Sequence, residues 1–202
     1  MDEVFWNKFY IAEGGRKTAS NFAYFCSNII NKKTPLFEMG CGNGADAIFF
    51  ADKGITTFAC DQFLPSGVFF NPFFIKADFT DLPIFNMSFG TIYSRFSIHS
   101  VNLKGEQSAL DWAFHHLEMD GLLCVEARSI KDGLYGKGEE AEYNAFITDH
   151  YRRFVDKEEF VHTLSKRGFE TVYIKEGRGL APYNNEDPIC VRIIAKKLRY
   201  SN

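Results

Sequence analysis

The sequence predicts an α/β protein built on a doubly wound sheet of seven strands, mostly parallel, with an antiparallel hairpin at its C-terminal end. Apolar, β-branched runs alternate with stretches of helical period over most of the 202 residues. A glycine-rich turn, Gly40-Cys-Gly42-Asn-Gly44, falls between the first strand and the first long helix, and the last two strands are separated by thirteen residues (176–188) without helical pattern. Alternation of strand and helix implies parallel pairing through right-handed crossovers, with ligands beyond the carboxyl ends of the strands. A connection too short for a crossover implies a hairpin. At this length one domain, 1–202, is expected.

Each element has its own signal. Residues 1–31 are polar and aromatic, and Phe22, Phe25, Cys26 and Ile29 share one helical stripe in SNFAYFCSNII, so this part is read as a cover on one end of the sheet. PLFEM (35–39) is a short apolar strand. ADAIFFADKG is a helix closed by Gly54, where a left-handed residue is needed. ITTFACD (55–61) ends in Asp61, FFIKAD (73–78) ends in Asp78, and FGTIYSR (89–95) is the fourth strand. In EQSALDWAFHHLEMDG, Leu110, Ala113, Phe114 and Leu117 lie at i, i+3, i+4 and i+7, which predicts an amphipathic helix ending at Gly121. LLCVEA (122–127) is the fifth strand. DKEEFVHTLSKRG opens on the capping pattern of Asp156 and Glu159 and stops at Gly168. FETVYIK and ICVRIIAKK form the closing hairpin. Residues 129–153 carry glycines, tyrosines and cations without long helical periodicity, and are expected to fold over the site as a lid.

Composition excludes several classes. Lys plus Arg number 23 against 26 Asp plus Glu, a net charge of −3, which argues against affinity for nucleic acid resting on broad phosphate neutralisation. The five cysteines are widely spaced, without a C-x-x-C pair, and read as buried thiols of a reducing compartment. No apolar run approaches the roughly 20 residues of a membrane span, so a soluble, cytoplasmic protein is expected. His115, His116 and His162 are read as scaffold, with no zinc spacing and no metal expected. Asn71-Pro72-Phe73-Phe74 precedes the third strand and is turn chemistry.

The glycines let the chain turn sharply off the first strand and let a ligand touch main-chain atoms at a helix N-terminus. Alone they permit a dinucleotide site, since Gly40-x-Gly42-x-x-Ala45 also fits that fingerprint, or a tight turn without a ligand. Glu38 favours another ligand, because its charge is unwelcome beside phosphates and suits an ammonium and a sulfonium. Asp61 can accept two ribose hydroxyls and Asp78 an exocyclic adenine amine, or each is a solvated acid at a strand end. With Glu38-Met-Gly40-Cys-Gly42-Asn-Gly44, Asp61, Asp78 and the closing hairpin, nearly the whole chain resembles the class I S-adenosylmethionine-dependent methyltransferases. The resemblance implies a Rossmann-like sheet in the order 3-2-1-4-5-7-6 and S-adenosylmethionine as cofactor, with S-adenosylhomocysteine as product. It assigns Glu38 and the glycines to the methionine end, Asp61 with Gln62 to the ribose, and Asp78 with Phe79 to the adenine. Cys41 and Ser94 complete the expected set. Trp6, Phe9 or Tyr10 would cover the methionine end with Ser20 or Asn21 nearby; otherwise those aromatics pack on the sheet.

The expected mouth of the site is rich in cations and hydroxyls: Arg95 and His99 after the fourth strand, Arg128 and Tyr135 after the fifth, His150, Tyr151 and Arg153 before the last helix, Arg178 and Tyr183 in the hairpin loop. Arg95, His99 and Arg128 are the catalytic candidates, the others substrate-binding. Such a set suits a small anionic acceptor, phosphoryl, phosphonyl or carboxylate. Arg152 and Arg153 are adjacent, so one faces the site, taken as Arg153, and the other pairs with Asp149 or Asp156. His99 is alternatively a residue at a helix start bonded to main chain. YSRFSIHSV, ARSIKDGLYGKG and DHYRRF resemble a subgroup of small bacterial methyltransferases of surface-carbohydrate assembly, including those associated with capsule phosphoramidates, which implies a small, polar, anionic acceptor; an ionised oxygen is already a nucleophile, so O-methylation is expected. The rival readings are an NAD(P)-dependent oxidoreductase, which lacks a Tyr-x-x-x-Lys pair, and a non-catalytic nucleoside-binding domain of the same fold.

Overall fold

The computed structural model describes residues 3–13 and 18–198; residues 1, 2 and 14–17 of the expected N-terminal cover lie outside them. In chain order the elements are α1 (Glu3–Glu13), α2 (Asn21–Ser27), β1 (Leu36–Met39), α3 (Ala45–Asp52), β2 (Thr57–Asp61), β3 (Phe73–Lys76), β4 (Phe89–Arg95), α4 (Leu103–His116), β5 (Leu117–Arg128), β6 (Glu139–Glu142), β7 (Ala145–Ile147), β8 (Tyr151–Arg153), α5 (Lys157–Lys166), β9 (Phe169–Gly177) and β10 (Cys190–Lys197). The main sheet has seven strands in the order β3-β2-β1-β4-β5-β10-β9, which is the expected order once the three strands inside 129–153 are set aside. β1 runs parallel to β2 and β4, and β10 antiparallel to β5 and β9.

Two-residue periodicity in the central strands builds a core on each face. Phe37, Met39 and Ile92 pack against Leu110 and Trp112 of α4 and Phe160 and Leu164 of α5. Leu36 and Tyr93 point the other way, into Phe22 and Cys26 of α2 and Phe50 of α3. Each such buried side chain stabilises the fold by about 1.5–3 kcal/mol relative to exposure, so the sheet is held from both sides and its carboxyl edge is left to loops. The caps match their signals. Asn102 accepts from the Gly105 amide at 2.8 Å at the start of α4, and Asp156 from the Glu159 amide at 3.0 Å at the start of α5.

Two local expectations are corrected and one segment gains detail. Helix α4 ends at His116, not Gly121, because Leu117 is already extended (φ −72°, ψ 138°) and opens β5. Gly121 lies inside that strand, where a Cβ would meet the Glu118 carbonyl oxygen at 2.8 Å. Helix α2 stops at Ser27, so its stripe does not reach Ile29, which is 44% exposed; Ile30 turns inward instead. The segment 129–153 contains no helix, as its lack of helical period predicts, and carries a small antiparallel sheet, β6-β7-β8. Its strands are only three or four residues long, too short for a period to show in sequence. Before β3, Asn71 accepts from the Thr57 amide and donates to the Ile55 carbonyl, both at 2.9 Å, pinning that turn to the start of β2. No helix among the described residues is long and apolar enough to cross a membrane.

Candidate functional site

Strand β1 ends at Met39 and the chain leaves the sheet through Gly40, Gly42 and Gly44, all left-handed at φ +70°, +54° and +78°. A Cβ on Gly40 would stand 2.4 Å from the Ser97 Cβ, and one on Gly42 2.1 Å from the Tyr10 hydroxyl. Gly40 is therefore required by the packing of the 97–100 turn, whereas at Gly42 the left-handed backbone favours glycine and the tip of Tyr10 would have to shift for a side chain. Gly42 donates its amide to Asp61 Oδ2 at 2.8 Å, while Phe63 donates to Oδ1 at 2.9 Å. Asp61, at the tip of β2, is in this way aimed along the cradle.

Glu38 is 3% exposed, and its Oε2 has no hydrogen-bond partner among the described residues. Burial pushes its carboxyl well above the usual range, Asp46 and Asp61 add to the shift, and Arg95 opposes it. A buried acceptor left unmatched costs about 1–3 kcal/mol, which a cationic or hydrogen-donating ligand would offset. Asp46, in the first turn of α3, accepts from the Ser20 amide at 2.6 Å, the Ser20 hydroxyl at 2.7 Å and the Tyr93 hydroxyl at 2.7 Å. Asp46 was legible only as an acid in a helical first turn, where the macrodipole favours one.

A cavity of about 850 Å³ opens over the carboxyl ends of the central strands. Its near side contains Glu38, Gly40, Cys41, Asp46, Asp61 and Phe79; α1 contributes Phe5, Trp6, Phe9 and Tyr10; the far side contains Arg95, His99, Arg128, His150, Arg152 and Tyr183. Tyr10 stacks on Phe63 at 4.9 Å, and burial together with Asp61 raises its phenol, which stays protonated.

Eleven of the expected site residues stand off the wall of this cavity. Gly42 and Gly44 lie behind the wall, in the turn itself. Ser20 is fully buried as the cap of α2 and bonded to Asp46. Asn21 is exposed at the start of that helix. Ser94 is buried 2.6 Å from the Ser97 hydroxyl, and Ser97 takes the wall in its place. Gln62 donates to Asp78 Oδ2 at 2.9 Å, while Asp78 Oδ1 accepts from the Thr80 amide and hydroxyl at 2.8 and 2.7 Å. Tyr135 donates to Asn144 at 2.8 Å and packs edge-on against Phe146 and Phe154. Tyr151 bonds Glu142, and Arg178 donates to the Asp187 carbonyl. Arg153 is buried against Glu106, and desolvation lowers its guanidinium to about 10. Alternation along β8 sends Arg152, not Arg153, to the cavity.

The far side is a set of paired arginines around a neutral imidazole. Arg95 donates to Glu126 Oε1 at 3.1 Å, and Arg192 grips Oε2 of the same carboxylate at 2.9 and 2.6 Å. Arg128 is held by Asp132 at 3.0 Å and Glu186 at 2.6 Å, and Arg152 by Asp149 at 2.6 Å. His99 is 3% exposed, with Nδ1 unbonded among the described residues. Burial first, then the charges of Arg128, His150, Arg152 and Arg95, hold its pKa well below the ordinary imidazole value. His150 lies under the rings of Phe5 (4.1 Å) and Trp6 (4.9 Å), its Nδ1 3.1 Å from Asp149 Oδ2.

No protein-family profile matches the chain, and no curated protein matches it in sequence. Solved structures do. A S-adenosylmethionine-dependent methyltransferase from Methanosarcina mazei superposes with a TM-score of 0.72 at 17% identity, over 86% of this chain and 97% of that one. The 1,6-didemethyltoxoflavin-N1-methyltransferase of Burkholderia thailandensis, solved with its substrate and S-adenosylhomocysteine, gives 0.70 at 14% identity over 96% and 86%. A glycopeptide N-methyltransferase in complex with S-adenosylhomocysteine gives 0.64 at 14% over 94% and 96%. The chain has the fold of S-adenosylmethionine-dependent methyltransferases.

Proposed function

We propose that the protein is a S-adenosylmethionine-dependent methyltransferase that methylates an oxygen of a small anionic acceptor, a phosphoryl, phosphoramidate or carboxylate group, in surface-carbohydrate metabolism. The observation that carries the cofactor reading is the unmatched Glu38 oxygen beside the glycine cradle, with Asp46 and Asp61 adjacent. Three buried or half-buried carboxylates at this point suit a cationic amino acid moiety and repel the diphosphate of a nicotinamide cofactor. Glu38 and the cradle would hold the methionine end, Asp61 the ribose and Phe79 the adenine, with Gln62 and Asp78 as a bonded pair behind them. The cavity volume falls within the range of roughly 300–1,000 Å³ of small-molecule sites.

When bound, the sulfonium supplies a methyl group that passes to the acceptor oxygen as its carbon–sulfur bond breaks, leaving S-adenosylhomocysteine. The chain's task is alignment and exclusion of water, for which α1 closes one side. Arg95, Arg128 and Arg152 would orient the anion, and an ionised oxygen needs no base. Where the oxygen carries a proton, His99 would take it only at a cost, because the burial and arginine charges that keep it neutral disfavour its imidazolium. The five free cysteines fit work in the reducing cytoplasm.

Calorimetry with S-adenosylmethionine and with NADH tests the reading. Binding of the first alone is expected, and binding of NADH alone would overturn it in favour of an oxidoreductase. Radiolabelled methyl transfer to a panel of anionic acceptors then separates an enzyme from a nucleoside-binding domain: label should appear in at least one, and fall in the Arg128→Ala variant.

A further inference from the structure

We propose that Glu186 and Asp149 occupy the acceptor's place in the ligand-free protein, each holding an arginine that the acceptor's oxyanion takes over on binding. This rests on the methyltransferase reading only in treating the far side of the cavity as the acceptor site. The arginines of that region fall into two kinds. Arg95 and Arg192 share Glu126, whose side chain is fully buried, and Arg153 is closed onto Glu106, 4% exposed. Those pairs are fixed, since removing one partner from a buried pair costs about 3–5 kcal/mol.

Arg128 and Arg152 differ. Arg128 Nη1 is anchored by Asp132, which is 4% exposed and also accepts from the Leu134 and Ile189 amides at 3.0 and 2.8 Å. Its Nη2 instead meets Glu186, whose side chain is 67% exposed. Arg152 meets Asp149, 57% exposed. A carboxylate more than half exposed returns to water more readily than the fully buried Glu126, so an incoming anion can take its place while Asp132 keeps Arg128 aimed. Asp149 is held the more firmly, since its desolvation is outweighed by hydrogen bonds from Arg152 and Thr148, which keep its carboxyl well below the usual range. Glu186 lies in a turn closed by reciprocal main-chain bonds with Tyr183 at 2.9 and 3.0 Å, so its side chain can swing away without unfolding the loop. Both arginines line the same cavity as His99. The chemistry selected is an oxyanion with at least two acceptor oxygens, since Nη groups of a guanidinium favour bidentate partners.

The test is titration calorimetry of the full chain, with and without S-adenosylhomocysteine, using inorganic phosphate and, separately, acetate; the tighter of the two identifies the oxyanion type. Glu186→Gln and Asp149→Asn should each tighten binding about threefold to fivefold, while Arg128→Gln and Arg152→Gln should weaken it. Glu139→Gln, an exposed acid on β6, reports the effect of net charge alone and should change little. Equal or weaker binding in both acid variants, or a gain in Glu139→Gln as large as theirs, overturns the proposal. Failure of S-adenosylmethionine to bind overturns the cofactor reading and leaves this result standing.

Discussion

The two sides of the cavity are built from different materials. On the near side, the tips of β1 and β2 and the start of α3 present main chain and carboxylates whose partners, where they have any, are amides and hydroxyls, as when Gly42 and Phe63 bond Asp61 and Ser20 and Tyr93 bond Asp46. On the far side, the ends of β4, β5 and β8 present guanidiniums whose partners are carboxylates, some near in sequence, as Asp132 is to Arg128 and Asp149 to Arg152, and some remote: 58 positions separate Arg128 from Glu186 and 31 separate Arg95 from Glu126. Main-chain geometry is rigid and indifferent to which small molecule arrives beyond its shape and charge. Side-chain pairs can be exchanged, so under the proposed function the far side is where one acceptor would be told from another.

Substitutions can break that contrast. The largest effect is expected from Glu126→Gln, which leaves Arg95 and Arg192 buried without a counter-charge and should cost about 3–5 kcal/mol in denaturant unfolding; a loss below 1 kcal/mol would mean that the far side is not held by charge. Gly40→Ala should cost about 1–3 kcal/mol, because a left-handed alanine is strained and its Cβ is driven into Ser97, and cofactor affinity should fall with it. Unchanged thermal stability in that variant would show the cradle to be adjustable.

Glu38→Gln is expected to split two properties. Affinity for S-adenosylmethionine should fall about tenfold through loss of a charge-assisted bond, while the ligand-free fold should gain stability at neutral pH. The sign follows from the raised carboxyl: its contribution is full below the ordinary carboxylate range of about 4.3 and is lost as pH rises through the higher folded value. Melting curves of the two proteins should therefore diverge with increasing pH, and parallel curves would refute the shift. The smallest change belongs to Tyr10→Phe, which keeps the stack on Phe63 and should move stability by no more than about 0.5 kcal/mol.

The same contrast explains what could be read from the chain. The hairpin, the cradle and the acids at the strand tips lie in contiguous motifs whose spacing carries their meaning, and the strand order is what the family resembled by that set implies. The exchange of Arg153 for Arg152 at the wall could not be read, because it depends on the register of a three-residue strand that has no periodic signal. Ser97 replaced Ser94 for a related reason: β4 runs to Arg95, and the chain then turns through Phe96 at φ +54°, a conformation bulky residues seldom signal. Asp46 and Glu186 look like ordinary surface acids until the fold brings their partners to them, 26 and 58 positions away, whereas the pairing of Asp149 with an adjacent arginine was legible from their spacing.

The two tryptophans are placed so that light can tell the regions apart. Trp112 is sealed in the core with its indole bonded to the Pro83 carbonyl at 2.8 Å, whereas Trp6 lines the cavity against His150. Emission from Trp6 should therefore respond to filling of the cavity while Trp112 reports only whether the protein is folded, and a Trp112→Phe background turns the native chain into its own single-probe sensor.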